Sequence, residues 1–505
     1  VHAVQSPLAT ASPAAGAAAP ARHTAVLAIT CLALATVVAA MSSLNVALPA
    51  IARETHADQS QLSWIIDAYS LVFAALLLPA GALGDRFGRR RALLAGLTVF
   101  GAGSALAMTT TSPDALIAVR ALLGVGAALV MPATLATITS TFPRERRAGA
   151  VSVWAAVAGA SAVVGVLISG SLLQEWSWRS VFLLNVVLAG LAVAGVVARV
   201  PESAEPQQPP LDVLGALLVA TGLGVLVYSI IEAPQHGWTS PATLGGAGLG
   251  LLVLIGFVAW ELRTGHPLLD PRLFRNRRFA AGTASIALQF FAFFGFLFVL
   301  MQYLQLVRGD SALTAAVSML PMAATLVPGS RLSPLLGARL GVRRPWVAGL
   351  VLAATGLGLF SRVDGDTPYW QLAGILVVLG AGLGLAMPPA TTAITDALPA
   401  TQQAVGSAMN DLARELGGAL GIAVLGSILT AGYRSHLTLP DLPAQAADAA
   451  RSSLGAAAAM GGPVLDHART AFVAGLQEAL LGGAATLLLA AVAVALLLRR
   501  RSSER

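Results

Sequence analysis

The stretch GALGDRFGRRRALL, Gly81 to Leu94, returns in weakened form about 250 residues later. Gly84-Asp85-Arg86-Phe87-Gly88-Arg89-Arg90 corresponds to Gly337-Ala338-Arg339-Leu340-Gly341-Val342-Arg343. Each copy separates two long apolar runs, where a membrane-embedded chain needs a tight, basic turn. A charged hairpin repeated in two halves of a hydrophobic chain implies a duplicated membrane protein.

Composition agrees. The chain has 505 residues, of which 56% are hydrophobic and 11% charged, and its mean hydropathy is +0.77. Soluble domains carry about 25% charged residues. The 51 glycines suit close helix packing in lipid. A net charge of +7 raises the question of nucleic acid, but the basic residues punctuate the gaps between apolar runs, which is a topology signal, so no nucleic-acid partner is expected. All 31 basic residues are Arg. The single Cys31 lies in an apolar run, which excludes an intrachain disulfide. Residues 1–22, rich in Ala, Pro and Ser, read as a disordered cytoplasmic tail, and the run after Arg22 is too long for a signal peptide.

A helix needs about 20 apolar residues to cross the hydrocarbon core, and fourteen such runs can be drawn, from 24–51 to 471–498. With the N-terminus inside, 22 arginines fall on the cytoplasmic side, seven outside and two (Arg120 and Arg414) within spans. Omitting one span would destroy this positive-inside asymmetry. Both termini are therefore expected in the cytoplasm, with a basic tail at 499–505. The match of Gly124–Pro132 to Gly380–Pro388, with Gly165 to Gly421 and Gly170 to Gly426, recurs at an offset of 256, which is eight spans and not six. The expected fold is an all-α integral membrane protein with two six-helix bundles, 23–200 and 266–498, and two inserted helices at 201–265. Two related halves around a central site are the plan of alternating-access carriers. A long outer loop, 432–470, precedes the last span, with a short helix expected near 444–460.

Several motifs resemble, in order, those of the fourteen-span drug:proton antiporters of the major facilitator superfamily. They are LNVALPAI (44–51), WIIDAYSL (64–71), the opening hairpin, AVRALLGVGAALVMPA (118–133), WSWRSVFLLNV (176–186), PLLDPRLFRNRRF (267–279) and NDLARELGGALGIAVLGS (410–427). The resemblance implies export of hydrophobic, often cationic, drugs or antibiotics across a bacterial inner membrane, driven by proton entry. It implies drug resistance as the outcome and a monomer as the working unit. The chain departs from the family twice. Ala39–Ser43 contains no acid ahead of the NVALP segment, and Val166 stands where the helix 5 signature has Pro. Proton or cation binding must then fall to other acids.

The residues indicate which. Asp85 is the only acid among four arginines in the hairpin, where Gly81, Gly84 and Gly88 allow close packing. As a fixed anion it could latch to Arg86 and Arg89 or to a neighbouring helix N-terminus; the bland alternative is a topology signal alone. Asp67 lies roughly 8 Å inside the outer end of the second span, where a carboxylate is costly unless paired, hydrated or protonated. Arg120 lies at similar depth and cannot discharge, so a pair with Asp67 is expected. Asp411, Arg414 and Glu415 share one helical turn near the midplane; they form either a proton or cation site or a neutralised packing cluster. Asn45, Trp64, Tyr69, Met131, Trp154, Gln289, Gln302, Met387 and Asn410 are the candidate substrate-cavity residues, aromatics and Met suiting broad hydrophobic recognition. There is no metal-ligand spacing, nucleophile triad or nucleotide-binding loop, so no cofactor is expected, and an ATP-driven pump would need a partner subunit. The alternatives are an exporter or facilitator of an endogenous metabolite without strict proton coupling, or a membrane-embedded receptor or enzyme.

Overall fold

The computed structural model describes residues 13–55, 59–203, 211–398, 402–439, 443–452, 454, 457 and 460–498. Among these residues every regular element is helical. Six helices come first: α1 Pro13–Thr55, α2 Gln59–Phe87, α3 Arg89–Thr109, α4 Pro113–Thr141, α5 Arg144–Glu175 and α6 Arg179–Arg199. The inserted pair is α7 Val213–His236 and α8 Pro241–Glu261. Then follow α9 Arg277–Gln302, the short α10 Ala312–Val317, α11 Leu320–Leu340, α12 Arg343–Phe360, α13 Tyr369–Thr395, α14 Gln403–His436, the short α15 Ala444–Ser452 and α16 Gly462–Leu497.

Thirteen spans among the described residues are long and apolar enough to cross a membrane. The fourteenth run is α12, whose opening Arg343-Arg344 lowers its mean hydropathy although it packs against α13 and α16 like its neighbours. Three details differ from the sequence reading. Residues 13–22 are not a disordered tail but the first turns of α1; their alanines are strong helix formers and Pro13 suits a first helical position. Residues 1–12 and 499–505 lie outside the described residues. The outer loop is shorter than 432–470, because α14 runs on to His436 and α16 begins at Gly462. Within it α15 is anchored by Tyr433, whose hydroxyl donates to the Ala450 carbonyl at 2.7 Å. Arg331 lies well inside α11 and joins Arg120 and Arg414 as an arginine within a span.

The repeat has a packing reason. A β-carbon at Gly124 of α4 would lie 2.7 Å from the Tyr69 carbonyl oxygen of α2, and one at Gly380 of α13 would meet the Met322 carbonyl of α11 more closely still. Gly165 of α5 approaches Ala39 of α1, and Gly421 of α14 approaches Phe291 of α9, in the same manner. The close-packing face of the α5 signature therefore survives without its proline. Both hairpin turns also use one device, a glycine with positive φ: Gly88 at 111° and Gly341 at 79°.

Helix α7 packs on both α2 and α14, while α8 packs mainly on α7. The base of this pair is tied down by the Trp260 indole, which donates to Asp212 at 2.8 Å, and by Leu269 N, which donates to Glu261 at 3.3 Å.

At the opposite end of the molecule from the arginine-rich hairpins, Arg179 of α6 donates to Glu54 of α1 and to the Met108 carbonyl of α3 at 2.9 Å. The Trp178 indole donates to the same Glu54 at 2.6 Å. The Arg179 hydrogen bond holds the Glu54 pKa below its ordinary 4.5. A depressed carboxylate pKa contributes stability that is present above the unfolded value and is lost as pH falls through the folded one. The pair is largely solvated, so the effect is modest. Glu54→Gln is expected to lower the Tm of the purified protein at pH 7. The gap to wild type should close as the pH falls below about 4.5; an undiminished gap at about pH 3.5 would contradict this account of the clasp.

Candidate functional site

Asp85 lies in the last turn of α2, buried with only 4% of its surface exposed. Its Oδ1 accepts from Arg89 Nη2 at 2.9 Å and from Nε at 3.2 Å. Its Oδ2 accepts from the backbone N–H of Val405 at 3.1 Å, in the first turn of α14. The first N–H groups of a helix have no partner within it and carry partial positive charge, so the carboxylate bridges an arginine of its own half and a helix terminus of the other. Gly81 and Gly84 are buried within α2, Gly88 makes the turn, and Arg86 lies over the Phe87 ring at 5.6 Å. A second cross-link on this side joins Arg147 of α5 to Asp396, just after α13, at 3.6 Å.

Arg120 does not pair with Asp67. Its Nε donates to the Ile65 carbonyl at 2.8 Å, and its guanidinium lies 4.4 Å from the centroid of the Tyr69 ring. Helix geometry explains the difference. Ile65 and Tyr69 are four residues apart and share a face, whereas Asp67 is two residues from each and points away. That other face carries Trp64, whose ring stacks on Tyr228 of α7 at 5.6 Å. Asp67 makes no hydrogen bond or ion pair among the described residues, and the charged groups within electrostatic reach are Glu232 of α7 and Arg120. Glu232 itself is bonded to His236 at 3.0 Å. Sequence reading missed Glu232, because α7 was read as an insertion between bundles; its one acid, four residues before the helix ends at His236, was the available signal.

In α14, Arg414 Nη1 lies 3.4 Å from Asp411 Oδ1. Its guanidinium is also 4.6 Å from the Phe290 ring of α9 and 5.6 Å from the Trp154 ring of α5. The cluster is therefore walled by an aromatic from each half. Phe290 packs with the buried Phe293 and the half-buried Phe294, while Phe298 is exposed. Glu415 lies one helical turn beyond Asp411 on the same helix.

The expected cavity residues fall into three groups. Tyr69, Met131, Trp154, Gln289, Met387 and Asn410 are buried in helix contacts, so they do not line an open cavity in this conformation. The physical reason is the closure of the arginine-rich side, which brings α2 and α5 of one half against α14 and α11 of the other. Trp64 faces α7, and Gln302 donates within its own helix to the Phe298 carbonyl at 3.3 Å. The Asn45 side chain lies outside the described residues. Three of the buried polar atoms, Tyr69 Oη, Gln289 Oε1 and Asn410 Oδ1, have no hydrogen-bond partner among the described residues.

Two homologous halves clasped through one helix terminus, with ionic clusters at their contact, constitute a transporter's architecture, and the sequence comparisons agree. The profile of the Major Facilitator Superfamily matches residues 30–422. The chain belongs to this superfamily. The methyl viologen resistance protein SmvA of Salmonella typhimurium is 38% identical over 444 residues, covering 85% of this chain and 89% of that protein. The multidrug efflux pump LfrA of Mycolicibacterium smegmatis is 35% identical over 441 residues, covering 85% and 87%. The tetracenomycin C resistance and export protein of Streptomyces glaucescens is 35% identical over 386 residues, covering 76% and 72%. The human organic anion transporter MFSD10 (TETRAN) shares the fold, with a TM-score of 0.63 at 15% identity, covering 94% of this chain and 99% of that one. The protein is thus a multi-pass membrane transporter of the Major Facilitator Superfamily, and not an enzyme.

Arg120→Lys is expected to insert at the wild-type level yet transport roughly tenfold more slowly, because an ammonium cannot reproduce the planar contact with Tyr69 and the bond to Ile65 together. Initial transport rates normalised to membrane level test this; a wild-type rate would contradict it.

Proposed function

We propose that this chain exports hydrophobic, cationic drugs or antibiotics from a bacterial cell by alternating access, with protons entering in exchange. The observation that carries the reading is the α14 cluster. Two acids, Asp411 and Glu415, flank one arginine, Arg414, at the contact between the two halves. With all three ionised the cluster has one negative charge in excess. Either a proton or a monovalent cation cancels that excess, and each makes the other's binding less favourable. Competition of that kind is what an antiporter requires. The aromatic walls of Phe290 and Trp154 suit a flat or lipophilic cation, and the relatives named for resistance to methyl viologen and to several antibiotics support export of such compounds.

The arginine-rich side is the cytoplasmic face in this reading, which puts both termini in the cytoplasm and the protein in the inner membrane as a monomer. Asp85 of α2, bonded to the first turn of α14, then holds the cytoplasmic side shut. The chain divides into the bundles 23–200 and 266–498 joined by the inserted pair. A second reading, export of an antibiotic that the cell itself makes, is favoured by the tetracenomycin relative; it changes the cargo and not the machine.

Everted vesicles that carry the protein should accumulate a lipophilic cation only while a proton gradient is maintained. An uncoupler should abolish the accumulation, and Asp411→Asn should remove the gradient-dependent part with protein level retained. Transport indifferent to the uncoupler would refute proton drive and leave facilitated export.

A further inference from the structure

The duplicated hairpin offers an internal comparison. In the first copy Arg90 and Arg91 have partners: Arg90 Nη2 donates to the Val197 carbonyl at 2.9 Å, Arg90 N donates to Glu202 at 3.3 Å, and the exposed Arg91 lies 3.7 Å from Glu202. These partners belong to the end of α6 and the residues after it, and α6 packs on α3. In the second copy the corresponding residues are Arg343 and Arg344, at the start of α12, and the helix packed on α12 in the place of α6 is α16. Among the described residues neither arginine has an ion pair or hydrogen bond, and both are exposed. The chain after α6 supplies Glu202 three residues beyond the helix end, whereas the chain after α16 carries Arg499-Arg500-Arg501. The corner has an acidic partner in one half and none among the described residues in the other.

Beneath the bare pair lies a groove of ≈ 530 Å³, lined by Arg343, Arg344, Val347, Val351, Thr355 and Ala495 among others. Its walls are apolar, its mouth is basic, and it is open to the surface along α12, where Val351 is exposed. That volume falls within the range of small-molecule sites, about 300–1,000 Å³. An occupant must present an anion to the arginines and hydrocarbon to the walls, and must reach the groove from within the bilayer. An anionic phospholipid meets all three conditions.

We propose that the α12–α16 groove binds an anionic phospholipid, with its phosphate on Arg343 and Arg344 and one acyl chain along Val347, Val351 and Ala495. Bidentate guanidinium–phosphate contacts favour Arg over Lys at such a site. The lipid replaces the counter-charge that Glu202 supplies in the first half.

The test is native mass spectrometry of the purified full-length protein, equilibrated with phosphatidylglycerol and phosphatidylcholine in equal amounts. Wild type is expected to retain phosphatidylglycerol on the monomer in at least about tenfold preference. R343Q/R344Q should lose that preference, and R343K/R344K should recover part of it. Val351→Trp, which fills the groove and leaves the charge intact, should also lose it. Arg339→Gln, on the same hairpin but outside the groove, should behave as wild type, which separates a site from general basicity. An unchanged preference in R343Q/R344Q, displacement of the lipid by millimolar inorganic phosphate, or a dimer with no bound lipid would each overturn the proposal.

Discussion

A buried carboxylate with a partner on each side of the molecule is the contact on which the rest depends. Asp85 receives Arg89 from the hairpin it belongs to and the Val405 N–H from α14. Removing a carboxylate from water is costly unless charge and hydrogen bonds compensate it, and here the compensation is divided between the two halves. Separating the halves on that side strips one oxygen of its partner and leaves the first turn of α14 uncapped. The Val405 N–H gives the carboxylate a hold on the second half, where α14 begins. The Arg147–Asp396 pair lies on the same side and is more exposed, so it adds to the closure without dominating it.

Closure explains the burial of the central groups. With one side shut, the α14 acids, Tyr69 and the Trp154 ring are packed between helices of both halves. Tyr69 joins α2 to α4: its buried ring carries the Arg120 guanidinium.

Much of this was legible in the sequence because it rests on periodicity and small residues. The hairpin echo, the offset of 256 and the glycines at 124, 165, 380 and 421 located the repeat, and the structure shows those glycines to be backbone contacts that admit no larger residue. The Asp85 alternatives were both readable, since an acid among arginines beside a helix start has few other partners. The Asp67–Arg120 pair failed for a reason the sequence also contained. Residue 67 lies on the opposite side of α2 from 65 and 69, and the carbonyl that Arg120 of α4 bonds is that of Ile65. Other features were not legible. The part of α7 that faces Asp67 depends on how the inserted pair docks. The burial of Met131, Gln289 and Met387 depends on which conformation the molecule adopts, and one sequence encodes several. The early start of α1 followed from alanine propensity that a hydropathy reading ignores.

The central claim is that Asp85 holds the arginine-rich side closed across the two halves. Spin labels at Phe87 and Leu340, both exposed and one in each hairpin, report the separation directly when introduced as cysteines in a Cys31→Ser background. Electron–electron double resonance on the reconstituted protein should give one narrow, short distance distribution for wild type. It should give a broadened, longer distribution for Asp85→Asn at equal expression. An unchanged narrow distribution in Asp85→Asn would show that the closed state stands without this carboxylate, and the account would be wrong at its base.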